Sequence, residues 1–263
     1  MNKMLAALVP AVLLAAAAQA QSYENSDARA KEIIGHVLKN TTGYDHYAVD
    51  MQMQLILENG KSFQRQIRQY VVEQPDDFER TVGVFKTPAD VKGSKILMYA
   101  HADRPDDQWL FLPALNRPKR IANENKSGAF FGSEIAFEDL GNAKLKKMEH
   151  HLVREETYKG RNYYVLKSTP ASKYTSYSFI EIYIDKATYL DGEVRYFDKK
   201  EKLYKVDVPQ YRQFKKNTIW LPVRQDMKNV QNGRTTVTTW TNYDFTYQID
   251  PSYLAPEKFM KME

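Results

Sequence analysis

From Tyr47 to Leu57 every second residue is apolar: Tyr47, Val49, Met51, Met53, Leu55 and Leu57, with Asp50, Gln52 and Gln54 between them. A period of two belongs to a strand, whose successive side chains point to opposite faces of the pleat. Asn59-Gly60 then turns the chain into Ser62 to Glu73, which makes a hairpin with one dry face.

The signal recurs at short intervals. Phe78 to Phe85, Lys95 to His101, Gln108 to Leu112, Arg117 to Ala122, Leu152 to Tyr158 and Asn162 to Ser168 read as strands. A second meander begins at Tyr177, where Ile180, Ile182 and Ile184 alternate with Glu181 and Asp185. Asp191-Gly192, Asp198-Lys199, Lys216-Asn217 and Asn232-Gly233 punctuate it up to Ile249. With 18 Tyr, 12 Phe and 3 Trp against 11 Gly and 11 Pro, composition favours a pleated, half-buried surface over disorder. The expectation is a mainly β protein of roughly ten or eleven antiparallel strands. One amphipathic helix precedes them, Arg29 to Asn40, with Ile33, Ile34, Val37 and Leu38 at helical spacing. No repeat or linker divides the chain, although Pro170 to Thr175 suits a long loop between two halves, so residues 21–263 are read as one domain.

Residues 1–20 have the form of a secretory leader: Lys3, an apolar run from Met4 to Ala18, then Ala18-Gln19-Ala20 as a small-x-small site, with cleavage expected before Gln21. The run is shorter than the roughly 20 residues of a transmembrane helix. With no cysteine in the chain, a thioether lipid, a disulfide and a thiolate ligand are all excluded. The expected product is periplasmic, soluble and not lipidated. The formal charge of +5, lowered by one with Lys3, is mild and interleaved. Its densest basic stretches, Arg117-Pro118-Lys119-Arg120 and Lys144-Leu145-Lys146-Lys147, suit solvated faces, and no nucleic-acid partner is expected.

Enzymatic signatures are weak. His36, His46, His101, His150 and His151 form neither His-Glu-x-x-His nor a Gly-x-Ser-x-Gly elbow. His101-Ala102-Asp103 and Glu149-His150-His151 have metal-ligating types, and Asp76-Asp77 and Asp106-Asp107 pair carboxylates beside prolines, where bonding to backbone accounts for them. No catalytic residue, metal or cofactor is assigned. The remaining alternatives to a binding protein of apolar cargo are a non-catalytic binder of envelope polysaccharide, whose tyrosines stack on sugar rings, and a metal-dependent periplasmic hydrolase. An outer-membrane barrel fits less well, because the chain ends Phe259-Met260-Lys261-Met262-Glu263 and its strands carry charge on both faces.

One stretch interrupts the meander. In Ser127 to Leu140, Gly128 and Gly132 bracket Phe130-Phe131, and Ile135 and Phe137 follow. Two readings fit: a loop whose rings plug the core, or a lid whose glycines act as hinges over an apolar cavity.

Around this stretch a family likeness emerges. Trp109-Leu110-Phe111-Leu112-Pro113-Ala114-Leu115, Arg117-Pro118-Lys119-Arg120-Ile121, Lys126-Ser127-Gly128 and Phe131-Gly132-Ser133 through Phe137-Glu138-Asp139-Leu140 resemble the outer-membrane lipoprotein-sorting family in its longer LolA-like branch. Phe85-Lys86-Thr87-Pro88-Ala89-Asp90-Val91-Lys92-Gly93 and Ile219-Trp220-Leu221-Pro222-Val223 resemble further blocks of it. The resemblance implies an unclosed β-barrel whose concave face, covered by helices or a lid, encloses an apolar cavity for acyl chains. It implies lipid or lipidated cargo, an inner-membrane exporter of the RND (MMPL-type) class and an outer-membrane acceptor as partners. On that fold the expected cavity lining is Met51, Met53, Leu55, Phe111, Ile180, Ile182 and Ile184, and the expected lid residues are Gly128, Phe130, Phe131, Gly132, Ile135 and Phe137.

Overall fold

The computed structural model describes residues 24–74, 79–215 and 218–263. The leader, Asp76-Asp77, Phe78 and the Lys216-Asn217 turn lie outside the described residues. Among the described residues thirteen strands form one antiparallel sheet. In chain order they are β1 (His46–Ile56), β2 (Ser62–Glu73), β3 (Glu79–Thr87), β4 (Lys95–Ala100), β5 (Asp107–Leu112), β6 (Arg117–Arg120), β7 (Met148–Tyr158), β8 (Arg161–Pro170), β9 (Tyr177–Asp185), β10 (Asp191–Asp198), β11 (Leu203–Phe214), β12 (Ile219–Asn229) and β13 (Thr235–Asp244). Their lateral order is β6-β5-β4-β3-β2-β1-β13-β12-β11-β10-β9-β8-β7. The sheet stays open, with β6 and β7 at its two edges. The basic run Arg117-Pro118-Lys119-Arg120 is one of those edges, where charge and a proline discourage pairing with another chain.

The count exceeds the expected ten or eleven: each of the eight candidates up to Ser168 forms a strand, and five more follow between Tyr177 and Asp244. The loop after Pro170 joins β8 to β9, which are direct neighbours, so it separates no halves. Asp191-Gly192 is not a turn: it lies inside β10, and the chain reverses earlier, where Asp185 N donates to Leu190 O at 2.8 Å and Tyr189 takes a positive φ of 52°. Glycine is needed at 192 for a packing reason, since a Cβ there would meet Tyr163 Oη at 2.8 Å.

Alternation sorts the apolar residues onto two faces. On the inner face, Met51, Met53, Leu55, Ile67, Phe85, Ile96, Ile180, Ile182, Ile184 and Val194 form one buried cluster with helix α1 (Ala28–Thr41), which contributes Ala30, Ile33, Ile34, Val37 and Leu38. Each such aliphatic side chain, fully buried, contributes about 1.5–3 kcal/mol. The N-cap Asp27 fixes the helix to the sheet. Its Oδ1 accepts from Ala30 N at 2.6 Å and its Oδ2 from Leu152 N of β7 at 2.9 Å. On the outer face, Ala48, Tyr70, Val82, Val84, Leu97 and Phe111 are capped by Leu254, Phe259 and Met262 of the C-terminal segment. Tyr99 Oη and Lys95 Nζ hold that segment by bonds to Leu254 O (2.5 Å) and Met260 O (2.9 Å).

Gly192→Ala should destabilise the protein by about 1–3 kcal/mol, as overpacking does, because the Tyr163 ring stands in the way. Adding Tyr163→Leu should recover much of the loss, and a double-mutant cycle by chemical denaturation measures both.

Candidate functional site

Nine adjacent strands, β4 through β1 and β13 through β9, send side chains to a single cavity of about 230 Å³. Strands so far apart in lateral order line one volume only because the sheet curls around it. Met51 and Met53 of β1 and Ile180, Ile182 and Ile184 of β9 stand on its wall, joined by Val37 of α1 and by Ile96, Leu221 and Trp240. Leu55 enters the same apolar cluster but lies off the cavity wall. Phe111 does not face the cavity. The neighbouring Gln108 points inward to Phe137 O at 2.9 Å, so the period of two sends Phe111 to the outer face under the C-terminal segment.

Lys126 to Leu140 runs across the mouth of the curled sheet. It closes on itself through Phe130 N to Ile135 O (2.8 Å), Phe137 N to Gly128 O (3.1 Å) and Glu138 N to Lys126 O (2.8 Å). Both halves of the sheet hold it. Arg65 Nε of β2 donates to Phe131 O at 3.1 Å, Glu134 N to Thr236 Oγ1 of β13 at 2.9 Å, and Tyr177 Oη of β9 to Asp139 at 2.9 Å. Its rings point down: Phe131 and Phe85 have centroids 4.0 Å apart, Phe130 and Phe137 5.5 Å, and Phe130 and Ile135 are buried. The two glycines differ. Gly132 has a φ of +78°, which an alanine adopts only under strain, whereas at Gly128 the constraint is Asn125 O, 3.1 Å from an added Cβ.

Polar groups reach the cavity wall as well, and the alternation rule missed them. Along β11, Lys205 and Asp207 alternate with Val206 and Val208, which suggests valines inside and charges outside. The structure reverses this, with Lys205 and Asp207 buried and both valines half-buried. The signal that leads to Asp207 is the register, since it pairs with Val194 of β10 and Met227 of β12, both on the inner face. Gln225 Nε2 donates to Asp207 Oδ2 at 2.7 Å. Among the described residues no donor reaches Asp207 Oδ1, and Thr238 Oγ1, opposite Gln225 on β13, is also without a partner. Burial pushes the Asp207 carboxyl up to about 7. The other acids on the wall have donors: Glu79 from Tyr44 Oη (2.6 Å), Asp191 from Tyr211 Oη (2.5 Å) and Asp139 from Tyr177 Oη and from Ala136 N (2.8 Å). Burial raises the phenols of Tyr44, Tyr177 and Tyr211 well above their ordinary range, so each is a permanent donor.

The described histidine motifs and Asp106-Asp107 have structural partners, whereas Asp76-Asp77 lies outside the described residues. His150 and His151 are adjacent on β7 and point to opposite faces. His150 bonds Ser168 Oγ and Leu145 O, both at 2.7 Å, and burial lowers it to about 4, so it is neutral. His101 Nε2 contacts Asp107 Oδ2 at 3.0 Å, and its N–H donates to Asp106 Oδ1 at 3.0 Å. The ring of His101 with Arg104 and Arg120 holds the Asp107 carboxyl well below its ordinary value against the opposing effect of burial.

Known proteins resemble this architecture over nearly its whole length. A Vibrio parahaemolyticus domain described as an outer membrane lipoprotein-sorting protein is 30% identical, covers 86% of this chain and 96% of its own, and superposes with a TM-score of 0.81. The chain belongs to the outer membrane lipoprotein-sorting family. A DUF1329 family protein from Desulfovibrio piger is 25% identical over 89% of this chain and 96% of its own, with a TM-score of 0.75. A LolA superfamily protein from Nitrosomonas europaea, 16% identical over 86% and 97%, shares the fold with a TM-score of 0.68. A family model described as "Uncharacterized protein" matches residues 77–261. No curated protein matches. The open half-barrel is thus the LolA-like fold.

Asp207 makes stability depend on pH. Its carboxyl, raised from 3.8 to about 7, binds more protons folded than unfolded between those values, so it costs stability as pH rises through that window. His150, lowered from 6.5 to about 4, opposes this below 6.5. Asp207→Asn removes only the first effect. Its gain over wild type should grow from about pH 4 to about pH 7 and level off at a few kcal/mol, as read by urea unfolding across that range.

Proposed function

We propose that this protein is a periplasmic carrier that holds the acyl chain of a lipid or lipoprotein in the inner-face cavity and moves it between envelope membrane proteins. The cavity walled by Met51, Met53, Ile180, Ile182 and Ile184 carries the reading. Each CH₂ moved from water into such a lining gains about 0.8 kcal/mol, so a chain crossing an aqueous compartment is best held in a dry container. Flexible methionines suit a mobile tail. Membership of the lipoprotein-sorting family supports the same reading. Among the described residues no helix is long and apolar enough to cross a membrane. The secretory form of residues 1–20 supports export, with cleavage before Gln21. In this reading an inner-membrane exporter of the RND (MMPL-type) class loads the cargo, an outer-membrane acceptor receives it, and no bond is made or broken.

The segment from Ser127 to Leu140 then serves as the cover. Its ties run through side chains, from Arg65, Gln108, Thr236, Asn229, Arg234 and Tyr177, each hydrogen bond worth about 0.5–1.5 kcal/mol net, and no strand ladder joins it to the sheet among the described residues. In this mechanism its phenylalanines fill the mouth when the carrier is empty and give way to a chain.

Native mass spectrometry of protein purified from its own periplasm should find an apolar ligand bound. Ile182→Asp should abolish it while circular dichroism stays native, because an ion in the apolar lining costs several kcal/mol; lipid retained by the folded variant would refute this lining. Hydrogen exchange tests the cover: amides of Ser127 to Leu140 should change protection when an acyl chain binds, whereas a fixed plug exchanges equally in both states.

A further inference from the structure

Asp207 contradicts its surroundings. It is 3% exposed, stands on the inner face of β11 where pattern alone would put valine, and has one carboxylate oxygen bonded to Gln225 and the other to no protein group. Thr238, fully buried two strands away, offers a second polar atom without a protein partner. Asp207 lies opposite Met227 and is reached diagonally by the Gln225 side chain, while Thr238 stands opposite Gln225 on β13, so polar groups from three adjacent strands sit on the wall of an otherwise apolar cavity. A core gains nothing from such groups, since an unmatched buried acceptor is unfavourable. It becomes favourable only when a donor arrives.

The charges on the wall define that donor. Among the described lining residues Lys144 is the only base, against the acids Glu79, Asp139, Asp191 and Asp207. Glu79, Asp139 and Asp191 are occupied by tyrosine hydroxyls, which leaves Asp207 Oδ1 as the open acceptor. A carboxylate or phosphate headgroup would find one base, Lys144, against four acids, and a purely apolar chain would leave Oδ1 unmatched; Lys144 acts on Asp207 through its charge but makes no hydrogen bond to it. An ammonium supplies both the donor and the compensating charge, in a dry site where a charge-assisted bond is strong.

We propose that the cargo is a cationic amphiphile, whose acyl or alkyl chain lies against Met51, Met53 and Ile182 while its primary ammonium group donates to Asp207 Oδ1. This rests on the carrier reading above and adds the headgroup class to it. The raised carboxyl of Asp207 agrees with a site completed by a cation, which would hold it ionised.

The test displaces diphenylhexatriene from the purified full-length mature protein with dodecylamine, dodecanol and dodecanoate, each below its micellar concentration and at a pH near 7.5. In wild type, dodecylamine should displace the dye at roughly a tenth of the dodecanol concentration or less, as one charge-assisted bond implies, with dodecanoate weakest. Asp207→Asn should bring dodecylamine and dodecanol together, while Asp226→Asn, on the outer face of β12, should leave their ratio unchanged. If dodecanol or dodecanoate matches the amine in wild type, or if the amine preference survives in Asp207→Asn, the proposed headgroup is wrong although the carrier reading stands. If neither the dye nor any of the three chains binds, the carrier reading fails and the headgroup assignment falls with it. The wild-type series decides the matter even if a variant folds poorly.

Discussion

The structure depends on a sheet that curls without closing. Thirteen strands in one antiparallel ladder would form a barrel if β6 met β7, but these strands are its two edges. The inner face therefore cannot fill itself with side chains as a small closed barrel does. Something must cover it, and two elements do: α1, tied to β7 through Asp27, and the segment from Lys126 to Leu140, tied to β2, β13 and β9. Between them remains a cavity that is a consequence of the architecture and is not a packing defect.

The two faces of the sheet solve different problems. The outer face over β3 and β4 is sealed by Leu254, Phe259 and Met262, and this pad is complete. The inner face combines a continuous apolar wall with acids that are nearly all satisfied by buried tyrosine hydroxyls. Local pattern and tertiary environment disagree most at Asp207, and such conflicts gather where a protein has something to bind. The Tyr44–Glu79, Tyr177–Asp139 and Tyr211–Asp191 pairs keep charge in a dry place without leaving it unmatched, and they tell the satisfied acids from the unsatisfied one.

Much of this was legible in the chain. The period of two located β1 and β9, turn residues marked most of the remaining strands although their number was expected to be ten or eleven, and the 3.6-residue period located α1; Met51, Met53, Ile180, Ile182 and Ile184 lie on the dry faces of β1 and β9 and stand on the cavity wall. Where the reading failed, the causes were specific. Phe111 belongs to a strand buried on both faces, so hydrophobicity carries no information about which side it takes. Asp191-Gly192 has the composition of a turn, but its glycine answers to the Tyr163 ring, a contact made from another strand.

Sequence alone determined the alternation, the helix, the solvated basic run from Arg117 to Arg120 and the motifs of the lipoprotein-sorting family, because each is a property of neighbours along the chain. Tertiary structure alone decided that nine strands surround one cavity, that the C-terminal segment seals the outer face, and that Gln225 reaches Asp207 from β12 while standing opposite Thr238 of β13. The reason is one of range. A pleat tells a residue that it has two faces, but only the curl of the sheet and the register between β11, β12 and β13 decide which face becomes the interior and what stands opposite.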